Sequence, residues 1–205
     1  FAGRTSTGVR GMKFGAGDEV VSMRVINGTD ASTEERDAYL KAAPWKAEPG
    51  ERTLSDERMA ELEACEQFIL TVTDQGFGKR TSSHEYRLTN RGGQGIWNVP
   101  SDERLRQQIG DVVMASPITA DEQIMMVTDH GKLIRTPVHD VRIASRNTKG
   151  VTLFKVAEGE HIVSVAKLQE TEEDEEGEEG AVEGEATEAV EAPATEDGPD
   201  APETE

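Results

Sequence analysis

The chain has 205 residues, 31% charged, 35% hydrophobic and 4% aromatic, with a formal net charge of -19. A lone cysteine, Cys65, excludes a disulfide framework. No apolar run approaches the ~20 residues of a membrane helix, and the start, Phe1-Ala2-Gly3-Arg4, has no signal-peptide core. The acidity is uneven. Residues 170–205 hold 17 acids and no Lys or Arg, so 41 − 17 leaves 24 acids against 22 bases in residues 1–169. This predicts a near-neutral folded domain over 1–169 and a disordered tail over 170–205, whose composition cannot bury enough apolar surface to offset chain entropy. With no initiator Met, the chain reads as a piece of a longer protein.

In chain order, Arg4-Thr5-Ser6-Thr7-Gly8-Val9 sets a frame, Arg-x-x-x-Gly-aliphatic, with the apolar doublet Val20-Val21 downstream. Residues 27–67 then read as a helical insertion. Ser32-Thr33-Glu34-Glu35 is a capping-box pattern before Arg36–Ala43, which Pro44 stops. Ser55–Glu66 carries Met59, Leu62 and Cys65 on one side and reads as a second helix, with Cys65 packed inward. Phe68–Val72 is a short apolar run ending in Thr73-Asp74-Gln75-Gly76, so a strand and turn are expected, with Phe77–Thr81 returning. Asp is expected to start that turn on its own backbone, and Gly76 to close it. Ile96–Val99 reads as a further strand, and Pro100–Ile109 as a loop carrying a five-residue excess.

The pattern then returns. Gln123–Val127, Thr128-Asp129-His130-Gly131 and Lys132–Thr136 repeat the hairpin, and Val151–Phe154 and Val163–Ala166 read as strands. Thr73, Gly76, Arg80, Arg91 and Gly95 recur as Thr128, Gly131, Arg135, Arg146 and Gly150, all at one constant offset (128 − 73 = 150 − 95 = 55). Gly150 stands as far before Ile162-Val163 as Gly8 stands before Val20-Val21. Removing the insertion and the five-residue excess gives a period of about 50, the length of a propeller blade in an all-β array.

No catalytic constellation is visible. His84, His130, His139 and His161 are scattered, Tyr39 and Tyr86 lack a surrounding catalytic pattern, and no metal or nucleotide motif occurs. Charge follows the repeat instead. Residues 73–99 are net +2, residues 128–155 net +4 and residues 1–26 net +2, whereas residues 27–67 hold 11 acids and 5 bases. A stripe of repeated cations suits a polyanion backbone, where each contact releases counterions. The candidates are Arg4, Lys79, Arg80, Arg91, Lys132, Arg135, Arg146 and Lys149. For any single one the competing reading is a solvated strand end or an Arg bridging neighbouring blades. Asn90-Arg91-Gly92-Gly93-Gln94-Gly95 adds glycines that let backbone N–H groups approach a phosphate.

The phrases Gly3-Arg4…Gly8-Val9-Arg10-Gly11, Ile69–Thr73…Gly76–Thr81, Gln123–Asp129 and Arg146–Val151 resemble the C-terminal domain of the DNA gyrase A protein. The resemblance implies a partial β-pinwheel that exchanges strands between blades and binds double-stranded DNA, bending it around a basic rim. The whole enzyme would be a type IIA topoisomerase that introduces negative supercoils using ATP. That family's Gln-Arg-Arg-Gly-Gly-Lys-Gly box is matched at Arg91, Gly92, Gly93 and Gly95, while Thr89, Asn90 and Gln94 depart from it. The resemblance puts the catalytic tyrosine, the ATP and Mg sites, and the rest of gyrase A outside this chain. No cofactor is expected here and no activity from the chain alone. The implied partners are the remainder of gyrase A and the gyrase B protein in an A2B2 assembly in the bacterial cytoplasm, at the nucleoid. The corresponding topoisomerase IV domain shares the blade design, and a protein-interaction propeller would also explain the repeats, though not their cations.

Overall fold

The sequence repeat is realised as two antiparallel hairpins. The computed structural model describes residues 3–169; the acidic segment 170–205, expected to be disordered, lies outside the described residues. Strands β1 (Phe68–Thr73) and β2 (Phe77–Ser82) pair antiparallel, as do β4 (Gln123–Thr128) and β5 (Leu133–Pro137). The turn glycines Gly76 and Gly131 have φ of 78° and 79°, the left-handed region that glycine enters without a Cβ penalty. β3 (Val112–Ile118) pairs with the other edge of β1, and β7 (Ile162–Leu168) with the other edge of β4. Both ladders shift register at the same place, Val72/Thr73 and Val127/Thr128.

That shift explains the Asp of Thr-Asp-x-Gly differently from the sequence expectation. Asp74 donates its N–H to Asp111 O and accepts the Asp111 N–H on its carboxylate, both at 2.9 Å. Asp129 makes the same exchange with His161, at 2.9 and 3.0 Å. The carboxylate thus ties the hairpin to its closing strand. The Thr hydroxyls serve the turns: Thr73 accepts from Phe77 N and Thr128 from Lys132 N, at 3.3 and 3.2 Å.

The repeats exchange a strand. β6 (Val151–Thr152) follows the second hairpin but pairs with β2 of the first, through Phe77↔Thr152 and Gly78↔Val151. The sheets therefore run β3-β1-β2-β6 and β5-β4-β7. Their shared core holds Leu70, Val72, Ile118, Ile124, Met126, Val138, Val141 and Ile162, with Leu153 and Phe154 packed against it. The β6 strand is shorter than the sequence suggests, and Ile96–Val99 forms no strand at all. Val20-Val21, aligned by spacing with the start of β7, is likewise unpaired and exposed.

Helix α1 (Thr33–Ala42) has the reciprocal capping box at Ser32 and Glu35, and α2 (Asp56–Ala64) is capped by the Ser55 hydroxyl. Tyr39, Ala42, Ala43, Met59 and Leu62 form a separate small core. Cys65 is not part of it: the residue sits at the α2 C-cap and is exposed, past the last inward position. The helices are tied to the first hairpin through Glu66, which accepts from Tyr39 Oη, Ser82 Oγ and, at 2.9 Å, Trp45 Nε1. His84 completes the seam, with Nε2 2.9 Å from Leu62 O and its ring 4.9 Å from that of Tyr39. A third helix, α3 (Glu103–Ile109), capped by Asp102, occupies the stretch read as a loop with a five-residue excess.

Candidate nucleic-acid interface

Each hairpin ends in a single 3-10 turn, Ser83–Glu85 and Val138–Asp140, again at the repeat offset. The chain then crosses toward the neighbouring repeat through a loop closed by a glycine. Gly8, Gly95 and Gly150 have φ of 78°, 82° and 82°, so the third, partial copy shares this backbone position.

The eight candidate cations divide by environment. Arg4, Arg91, Lys132 and Arg135 are exposed. Of these, Lys132 is committed to an ion pair with the buried Glu160 at 2.6 Å, and Arg135 Nε donates to Gln123 Oε1. Glu160 also accepts from Thr128 Oγ1 at 2.6 Å and Ala157 N at 3.1 Å. These contacts, led by that from Lys132, lower its pKa to about 2.

The others are partly or wholly inside. Arg80 donates to Val141 O at 2.6 Å and His139 O at 3.1 Å, which makes it a bridge between the two repeats. Arg146 donates to Trp97 O at 2.9 Å, and Glu85 lies 3.7 Å from its Nε. Lys149 holds its ammonium 4.2 Å from the centre of the Phe77 ring, a cation–π contact. Lys79 is not on an exposed rim. The residue is 2% exposed, and its ammonium donates to Ser145 O at 3.0 Å, Thr148 O at 2.9 Å and Arg146 O. Burial pulls its pKa down to about 8.

Among the exposed cations outside the sequence candidates, two recur with the repeat. Arg87 and Arg142 follow the two 3-10 turns at equivalent positions of the repeat, and both face solvent. Their constant offset was the signal that could have found them. A cleft of about 680 Å³ has Arg87 and Arg146 among its lining residues on the repeat side, with Thr33 and Asp37 of α1 opposite. The insertion therefore stands beside the basic frame. In the glycine stretch, Arg91 is exposed, Gly92 has φ of 79°, Gly93 bridges Met12, and Gly95 closes the loop. Among the described residues no group of three His, Cys, Asp or Glu side chains is gathered as a metal site.

Antiparallel sheets that trade a strand between repeated hairpins, with cations on the shared frame, define a propeller-type domain. The profile of the DNA gyrase C-terminal β-propeller domain matches residues 1–27, 67–105 and 122–169. The chain belongs to that family. The match passes over residues 28–66, which hold α1 and α2. The A protein of DNA gyrase from Rickettsia felis is 44% identical over 180 residues, covering 82% of this chain and 19% of the relative. That of Granulibacter bethesdensis is 44% identical over 194 residues, covering 83% of this chain and 20% of the relative. The chain thus spans about a fifth of the length of these relatives. A solved DNA gyrase A C-terminal domain aligns with a TM-score of 0.44 at 26% identity, over 49% of this chain and 33% of that one.

Proposed function

We propose that the chain binds the backbone of double-stranded DNA along its repeated cations and bends it, as the wrapping element of a DNA gyrase. In that reading the remainder of gyrase A and the gyrase B protein complete an A2B2 enzyme of the bacterial cytoplasm. They supply the cleavage tyrosine and the ATP and Mg sites, and this chain supplies the bent DNA path that negative supercoiling requires. The observation that carries the reading is the recurrence of exposed cations at a fixed offset, Arg87 with Arg142, on a fold of the gyrase C-terminal family. Such cations contact phosphates without reading bases, so affinity should fall with salt and be indifferent to sequence.

Charge reversal at Arg87, Arg91, Arg142 and Lys149 tests it. Each lost phosphate contact should flatten the slope of log K against log[salt] by about 1, equally for unrelated DNA sequences. An unchanged slope in the folded quadruple variant would refute the assignment.

A further inference from the structure

We propose that Lys79 is a positioning residue that shapes Ser145–Gly150 into a phosphate anchor, turning the backbone N–H groups of Asn147 and Lys149 outward toward a DNA phosphodiester. The proposal rests on the DNA-binding reading above and assigns it a specific contact.

An ammonium 2% exposed is costly unless its donors are all satisfied. Here all three are, and every acceptor is a carbonyl of one loop: Ser145, Arg146 and Thr148. In a planar trans peptide the N–H points opposite to the C=O that precedes it. Carbonyls drawn inward to Lys79 therefore push the next amides outward. The Arg146 N–H, which follows the Ser145 carbonyl, meets Glu85 Oε2 at 2.8 Å. The Asn147 N–H, after the Arg146 carbonyl, and the Lys149 N–H, after the Thr148 carbonyl, have no acceptor among the described residues. Asn147 is exposed. Two N–H groups turned to the same side of a short loop form a donor set of the kind that holds a phosphate oxygen.

Among the described residues the device is not repeated elsewhere in the frame. Ile134 occupies in β5 the position that Lys79 holds in β2, so the second hairpin offers no ammonium to a following loop. In the earlier loop, Asn90–Gly95, the amide equivalent to that of Asn147 is Gly92 N, and it is spent on Gly11 O at 2.7 Å. The anchor therefore belongs to the Ser145–Gly150 loop, and it depends on a side chain the DNA would never touch. The charged groups facing the Lys79 ammonium are Glu85 and Arg146.

The test is Lys79→Met in the full chain, with a linear duplex of arbitrary sequence as the probe. Losing two neutral donors should weaken binding about fivefold to tenfold and leave the salt slope unchanged, because no cation leaves the phosphates. Adding duplex should slow amide exchange at Asn147 and Lys149 in the parent but not in the variant. Lys79→Gln, which keeps two N–H donors, should restore part of the affinity, and it replaces Lys79→Met if that variant unfolds. Equal affinity in the folded variant, or unprotected amides in the parent complex, would overturn the proposal. A slope flattened by about 1 would also overturn it, by showing that Lys79 meets a phosphate directly. A parent that fails to bind duplex at all would instead refute the DNA reading itself.

Discussion

Alanine at the three equivalent crossing glycines separates backbone strain from crowding. Gly8, Gly95 and Gly150 share φ near 80°, so a Cβ at any of them costs about 1–2 kcal/mol of left-handed strain. Their surroundings differ. A Cβ at Gly8 would have nothing within 4 Å, and one at Gly95 would meet the flexible Met12 Cε at 3.5 Å. At Gly150 it would lie 2.4 Å from Gly78 O, 2.9 Å from Gly78 C and 3.2 Å from Lys79 Cβ. Those atoms belong to β2, so relief requires the β2–β6 pair to open or the Lys79 cage to shift. Overpacking of that kind adds roughly 2 kcal/mol, on the order of 4–8 °C in melting temperature for a domain of this size. Scanning calorimetry of the three variants should rank Gly8→Ala and Gly95→Ala together, with Gly150→Ala clearly below. Equal midpoints for Gly95→Ala and Gly150→Ala would refute the strand exchange as the source of the cost.

Acid unfolding should report Glu160. Its folded pKa, about 2, lies below the ordinary 4.5, so its contribution is full above pH 4.5 and is lost as pH falls through 2; Glu160→Gln should flatten that part of the stability profile in urea titrations. Tyr39→Phe removes one of three donors to Glu66 and should cost about 1 kcal/mol in chemical denaturation without altering the salt slope of DNA binding; a changed slope would tie the insertion to the DNA contact. Truncation after Gln169 removes a tethered polyanion and should tighten DNA binding at low salt, with the gain shrinking as screening rises. Equal low-salt affinity of truncated and full chains would show the tail inert for binding.

The hairpins were legible because their signal is local and repeated: an apolar run, Thr-Asp-x-Gly, and a fixed offset. The strand exchange was legible only through the family resemblance, since two residues, Val151 and Thr152, carry the pairing. Ile96–Val99 has the composition of a strand yet forms none, because pairing depends on a partner edge and not on propensity alone. The α3 helix is too short for apolar periodicity to show, and its one signal is the Asp102 cap. Among the cations, sequence gives the charge but not the side of the sheet. Lys79 aligns with the core-packed Ile134, yet it pairs with Thr71 on the face of β1 opposite Leu70 and Val72, and its burial comes from the carbonyls of Ser145, Arg146 and Thr148. Arg80 illustrates the reverse: the same repeated Arg that looks like a rim contact is consumed by carbonyls of the next repeat.

Bending is the central claim, and closure of nicked plasmid DNA by ligase in the presence of the chain tests it most directly. Wrapping along the cation frame predicts a linking-number shift, relative to DNA closed alone, that grows with bound chain and vanishes at high salt. A distribution unchanged at saturating chain, under salt where binding is demonstrated, would contradict the account.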